Sequence, residues 1–74
     1  MGWRSDARAE AAAARTHARS ARREAGLARK LAAKTWDPYL VKSFYDTARE
    51  HDQGAELHDR HADRLEAIVR GDCL

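Results

Sequence analysis

Alanine and other apolar residues recur along the chain at alternating steps of three and four residues, in two long runs separated by the only proline. The first run contains alanine alone: Ala7, Ala11, Ala14, Ala18, Ala21, Ala25, Ala28 and Ala32. The second run carries larger side chains and two histidines: Val41, Phe44, Ala48, His51, Ala55, His58, Ala62, Leu65 and Val69. This step places each run on one face of an α-helix, as at the a and d positions of a coiled coil. The pattern therefore predicts two helices that pack through an alanine-rich seam.

The segment KTWDPYL separates the two runs and has the residues of a helix start. Asp37 is a favourable N-cap residue, and Pro38 suits the first helical position because its missing N–H is not needed there. At the far end, Gly71 follows a basic residue and is typical of a helix C-terminus. The predicted elements are a helix over about residues 6–34, a turn at 35–37 and a helix over about 38–70. Two helices of nearly equal length and a short turn predict an all-α antiparallel hairpin.

Arginine recurs every seven residues beside the first seam, at the e positions. These four arginines are Arg8, Arg15, Arg22 and Arg29, and the e positions of the second helix are Tyr45, Asp52, Asp59 and Glu66. Folding at the turn places seam residues opposite each other when their numbers sum to about 76. The facing seam pairs then include Ala28 with Ala48, Ala14 with Ala62 and Ala11 with Leu65. The same fold pairs Arg8 with Glu66, Arg15 with Asp59, Arg22 with Asp52 and Arg29 with Tyr45.

Large apolar residues occupy the other flank of the seam, at the g and c positions. They are Trp3, Leu27, Leu31, Leu40, Leu57 and Ile68. A seam of alanine buries little apolar area, so the hairpin alone is expected to be marginally stable. We therefore predict that this flank binds a partner, either a second copy in a four-helix bundle or another helical protein. The alternative is a monomer in which Trp3 and Trp36 fold over its ends.

Composition and length limit the chain to one small domain. The 74 residues are predicted to form a single helical-hairpin domain over 1–74, with 35% charged residues and 16 alanines. No apolar run approaches the roughly 20 residues of a membrane span, so no membrane partner is expected. The lone Cys73 and the lack of a secretory segment favour a reducing, cytoplasmic setting. The abundance of Ala, Arg and Asp is typical of bacterial or phage proteins from GC-rich genomes.

Histidine is the residue type that brings metal chemistry into consideration. In the hairpin register, His17 and His61 are expected to meet on the g flank with His58 one turn away. Three converging imidazoles are the ligands that zinc, nickel or copper would require. The simpler interpretation, which we prefer, is that the histidines bind water or carboxylates. No metal or other cofactor is therefore expected.

The sequence contains no catalytic signature, so the predicted function is a non-catalytic structural or adaptor role through helix-mediated association. The alternative is a small accessory nucleic-acid-binding protein that uses its basic first helix. Residues 1–36 carry nine basic and three acidic groups, a net of +6, whereas residues 37–74 carry five basic and nine acidic groups, a net of −4. The basic residues without an evident partner are Arg4, Arg19, Arg23, Arg29, Lys30 and Lys34.

Overall fold

The computed structural model describes residues 2–71 and confirms the helical hairpin. Helix α1 spans Trp3–Lys34 and helix α2 spans Pro38–Arg70, with a three-residue turn between them. The two helices pack against each other in a flat, elongated molecule of 53 × 23 × 11 Å. Cys73 and the last residues of the chain lie outside the described part.

Helix α1 begins three residues earlier than the sequence pattern predicts. Gly2 is extended, with φ −126° and ψ 160°, and caps the helix without a side-chain hydrogen bond. The N–H groups of Ser5 and Asp6 donate to the Gly2 carbonyl oxygen, at 3.1 and 3.3 Å. Asp6 therefore lies in the first turn, where its negative charge interacts favourably with the positive end of the helix dipole.

The predicted boundaries of α2 are confirmed at both ends. The Asp37 side chain accepts a hydrogen bond from the Tyr39 N–H at 2.9 Å, and Pro38 is the first helical residue. The Thr35 hydroxyl in turn accepts from the Asp37 N–H at 3.3 Å. At the C-terminus, Gly71 adopts a left-handed conformation with φ 77°, which glycine tolerates best. The turn is therefore fixed by local hydrogen bonds, and it sets the register of the whole hairpin.

The core of the described part of the chain consists of alanine alone. Its nine buried residues are Ala11, Ala14, Ala18, Ala25, Ala28, Ala32, Ala48, Ala55 and Ala62. One buried cluster joins Ala11, Ala14 and Ala62 with the half-buried Leu65, and a second joins Ala25, Ala28 and Ala48. These clusters contain the three facing pairs that the turn predicts. The backbone register of the hairpin is therefore confirmed.

The larger side chains of the seam are only half-buried. They are Val41, Phe44, Leu65 and Val69, all on α2. Each buried alanine removes one methyl group from water, and a buried carbon of this kind stabilises a fold by only about 0.8 kcal/mol. The interior of the hairpin therefore contributes less than a core of leucine or isoleucine would. The largest apolar side chains of the described residues lie outside this core, and several of them are exposed.

Candidate protein-association surface

Arginines of α1 bind carboxylates of α2 along one edge of the hairpin, which we call the ionic edge: Arg15, Arg22, Arg29, Asp52, Asp59, Asp63 and Glu66. Arg15 donates to Asp59 at 3.2 Å and to Asp63 at 2.6 Å, and it also pairs with Glu66. Arg22 donates to the other oxygen of Asp59 at 2.6 Å, so one carboxylate bridges two arginines. The predicted pairing of Arg15 with Asp59 is confirmed.

The remaining pairs of the ionic edge are displaced by one heptad from the prediction. Arg22 binds Asp59 instead of Asp52, and Arg29 binds Asp52 instead of Tyr45. The cause is the direction of the side chains, because every Cα–Cβ bond tilts toward the N-terminus of its own helix. In an antiparallel pair, side chains of α1 therefore lean toward higher-numbered residues of α2, and those of α2 lean toward higher-numbered residues of α1.

The same displacement moves Glu66 from its predicted partner Arg8 to Arg15. Asp63 was not predicted from the sequence, and it binds Arg15 although it lies at position b rather than e. The available signal was its spacing from Asp59, because residues four apart stack on one side of a helix. Arg15 thus binds carboxylates from two successive turns of α2.

The ion pairs shift the pKa values of their members in the directions that favour charge. The hydrogen bonds that Arg15 donates to Asp63 and Glu66 raise the pKa of its guanidinium. The hydrogen bond from Arg22, assisted by Arg15, lowers the pKa of Asp59 against an opposing effect of desolvation. The lowered pKa of Asp59 therefore links the stability of this edge to acid pH.

Protonation of Asp59 is expected to weaken the hairpin in acid. A carboxyl group whose pKa is lower in the folded state stabilises that state above its ordinary pKa of about 3.9, and this stabilisation is lost as the pH falls through the folded value. Thermal unfolding followed by circular dichroism from pH 7 to pH 2 should therefore show a falling midpoint below about pH 4. Asp59→Asn should lower the midpoint at pH 7 and flatten this acid dependence. The matched control is Asp46→Asn, since Asp46 pairs only with Lys42, four residues away at 3.5 Å. Equal acid slopes in the two variants would contradict the role of Asp59.

Six large apolar residues lie exposed on the opposite side, and together they form what we call the apolar edge. Their exposed fractions are Trp3 53%, Leu27 53%, Leu31 50%, Leu40 46%, Leu57 64% and Ile68 39%. Trp36, at the turn, is 91% exposed. The alternative in which Trp3 and Trp36 fold over the ends of the chain is therefore wrong for Trp36, and Trp3 is half-exposed. The large residues of the apolar edge are exposed along the hairpin.

The three candidate metal-binding histidines do not converge. The rings of His17 and His58 lie 5.3 Å apart at 31°, whereas His61 turns to the carboxylate of Glu10, with Nε2 3.0 Å from Oε1. No group of three His, Cys, Asp or Glu residues within residues 2–71 is arranged to hold a metal ion. The three histidines therefore do not form the candidate metal site. Glu10, which the hypothesis did not include, binds the ring of His61.

Three of the six basic residues assigned to nucleic acid have partners within the chain. Arg29 pairs with Asp52, Arg19 donates to the Thr16 hydroxyl at 3.1 Å, and the Arg4 guanidinium lies 4.7 Å from the centre of the Trp3 ring. The expectation that these three lack an intramolecular partner is therefore wrong. In the described part of the chain, no ion pair is formed by the other three, Arg23, Lys30 and Lys34.

The fold and its two edges define a class of molecule: an antiparallel helical hairpin with an alanine seam, ionic on one edge and apolar on the other. No protein-family model, curated protein or solved structure matches this chain. Within residues 2–71, neither helix combines the length and apolar character of a membrane-spanning segment. The physical character of the two edges is therefore the basis for assigning a function.

Proposed function

We propose that this protein is a non-catalytic association module that binds a helical partner through the apolar edge. One observation carries the proposal: the buried residues of residues 2–71 are all alanine, while the six large residues of the apolar edge are 39–64% exposed. An exposed apolar surface of this extent on a small protein is typical of an interaction site. Covering it would give the hairpin the large buried side chains that its own core lacks.

The position of the apolar edge suits contact with further helices. In a four-helix bundle each helix needs two apolar flanks about 90° apart, one toward each neighbour. The seam supplies the first flank, and the large residues of the apolar edge supply the second. Phe44 and Leu65 lie between the two flanks at d positions and are half-buried. A partner on the apolar edge would enclose them as well.

The ionic edge supports a structural role. Its carboxylates bind arginines, and the pKa of Asp59 is lowered by this contact. A general acid or base works best with a pKa near the operating pH, so a shift in this direction moves Asp59 away from catalytic use. The ionic edge instead fixes the orientation of the two helices, since each exposed pair stabilises by only about 0.2–1 kcal/mol.

Fluorescence of Trp3 tests whether the apolar edge is covered in solution. In a Trp36→Phe variant, Trp3 is the only tryptophan and reports from the edge itself. On raising the protein concentration from nanomolar to high micromolar, we expect its emission to shift to shorter wavelength and its quenching by acrylamide to fall. The control is the same variant carrying Leu57→Glu, in which the emission should not change with concentration. Emission that is independent of concentration in both proteins would contradict association through this edge.

Nucleic-acid binding is the second candidate function, and the free basic residues of α1 favour it. Arg23 and Lys30 lie one above the other on the outer side of the helix, on either side of Leu27. Cations in such a row can follow phosphates, with an affinity that falls steeply with salt. Binding of a short duplex that weakens with salt and is lost in an Arg23→Ala, Lys30→Ala variant would favour this candidate.

A further inference from the structure

The rim of the apolar edge carries opposite charges at positions that a two-fold axis would pair. The rim is the row of c positions, which recur every seven residues along the outer side of the apolar edge. On α1 it contains Asp6, Ala13, Ser20, Leu27 and Lys34, and on α2 it contains Ser43, Glu50, Leu57 and Arg64. Because c positions lie beside g positions, residues of the rim face each other when two apolar edges meet. The order of charges along the rim therefore constrains which partner fits.

On α1 the rim is complementary to itself when one copy is reversed. Asp6 and Lys34 each lie fourteen residues from Ser20, in opposite directions. A two-fold axis perpendicular to the helix at Ser20 places Asp6 of each copy against Lys34 of the other. The same axis places Leu27 against the small Ala13, so large and small side chains also alternate.

On α2 the rim shows the same property about a different residue. Glu50 and Arg64 each lie seven residues from Leu57. A perpendicular two-fold axis at Leu57 pairs Glu50 of each copy with Arg64 of the other. Leu57, which is 64% exposed in the single chain, then meets its own counterpart at the axis.

The fold of the hairpin brings these two axes to one level. The buried clusters join Ala14 with Ala62 and Ala28 with Ala48, as expected for a register in which facing residues sum to about 76. Ser20 and Leu57 sum to 77 and therefore lie within one residue of the same level. A single axis through the molecule thus satisfies the charge pairs of both helices, although the two sets of charges lie on different helices.

The other two-fold arrangement lacks this complementarity. An axis parallel to the helices would place α1 of one copy on α2 of the other in the register of the hairpin. The rim pairs would then be Leu27 with Glu50, Ser20 with Leu57, and Ala13 with Arg64. Each charged residue of these pairs would face an apolar or small neutral side chain. The charges of the rim therefore select the perpendicular axis.

Gly54 is an independent observation on the same surface. It lies in the middle of α2 at a g position, where glycine lowers helix propensity relative to alanine. A Cβ built on Gly54 would meet nothing within 4 Å, so the single chain gives no reason for glycine at this position. The perpendicular axis places it opposite His61 of the second copy, where the missing side chain makes room for an imidazole.

From these observations we propose that the apolar edge is covered by a second copy of this chain, reversed about a two-fold axis at the level of Ser20 and Leu57. This proposal rests on the proposed function and names the partner. The two turns lie at opposite ends of the resulting four-helix bundle. Its interface contains four ion pairs at the rim, two of Asp6 with Lys34 and two of Glu50 with Arg64.

Pulsed electron paramagnetic resonance distinguishes the two arrangements. A spin label at Ala33→Cys, in a Cys73→Ser background, lies thirteen residues from the axis on the exposed surface of α1. At about 1.5 Å per residue, two such labels are expected about 40 Å apart in the proposed dimer. Turns at the same end would bring them within about 25 Å, a result that overturns the proposed arrangement and leaves association through the edge intact.

A monomeric mass up to high micromolar concentration would overturn the second copy as the partner. Trp3 emission that is also independent of concentration would then identify failure of the proposed function itself.

Charge reversal at the rim tests the partner in a second way. Lys34→Glu should weaken dimerisation about three- to tenfold, because each dimer loses two ion pairs and gains two like-charge contacts. Lys30→Glu makes the same change of charge one turn away, outside the rim, and should leave the dimer unchanged. Adding Asp6→Lys to Lys34→Glu reverses both members of each pair and should restore the affinity. Equal effects at Lys34 and Lys30, or no restoration in the double variant, would overturn the proposed pairing.

Discussion

Replacing Leu31 and Ile68 together with glutamate is expected to convert the proposed dimer into an 8.3 kDa monomer. Both residues lie at g positions of the apolar edge, which point toward a partner that covers this edge. A dimer of the double variant would bury four carboxylates without partners, and an unpaired buried charge is among the most costly changes to an interface. We expect dimer affinity to fall more than 100-fold, as for the loss of a hot-spot residue.

The fold of the hairpin should survive this double substitution. Leu31 and Ile68 are 50% and 39% exposed and lie outside the buried alanine clusters. Circular dichroism should therefore still show a helical protein, while light scattering shows the smaller mass. The matched control is Tyr45→Glu, because Tyr45 is 48% exposed but lies at an e position, on the opposite side of the hairpin from the apolar edge. An unchanged mass in the double variant, or an equal loss in the control, would rule out the apolar edge as the association surface.

Enlarging the seam at Ala18 is expected to cost about 1–3 kcal/mol of the free energy of unfolding. Ala18 has no exposed surface and lies at the middle of the seam. Two helices that meet through methyl groups approach closely, toward the short end of the usual 8–10 Å separation. A leucine at this position would force them apart and remove the contacts of neighbouring alanines. Urea unfolding of Ala18→Leu, followed by circular dichroism, measures the loss.

The control for the seam is the same substitution on the outer surface of α1. Ala33 is exposed and follows the buried Ala32 directly. Leucine and alanine are both good helix formers, so Ala33→Leu should change stability by less than about 0.5 kcal/mol. If Ala18→Leu proved as stable as Ala33→Leu, the seam would have to be looser than the buried alanines indicate.

The fold was predictable from the sequence because its two determinants are both local. The step of three and four identifies the face of each helix that is buried, and Asp37–Pro38 fixes where the chain reverses. Once the turn is placed, the facing seam residues follow from counting. The pairs of Ala14 with Ala62 and Ala28 with Ala48 could be derived in this way because an alanine side chain has no rotamers to choose.

The contacts of long side chains were less predictable from the same register. Arg22 and Arg29 bind carboxylates one heptad beyond the e-position residues with which the register pairs them, because side chains lean toward the N-termini of their helices. His61 binds Glu10 rather than another histidine, because a carboxylate is a stronger hydrogen-bond acceptor for an imidazole N–H. Counting along a helix locates a residue, whereas its rotamer decides which neighbour it binds.

The apolar edge could be predicted from the sequence only in part. Its members follow the helical period, so their exposure on one side of the hairpin was predictable. The complementarity of the rim depends on combining three registers: one along α1, one along α2 and one between them. The third is supported by the buried clusters, which agree with a register that brings Ser20 and Leu57 close to one level.

The central claim is that the apolar edge joins two copies of this chain, and the mass of the unmodified protein in solution tests it most directly. Light scattering after gel filtration, from low to high micromolar concentration in moderate salt, is the measurement. We expect about twice the chain mass of 8.3 kDa at the higher concentrations, with dissociation on dilution. A folded, helical protein that remains at 8.3 kDa throughout this range would contradict the account.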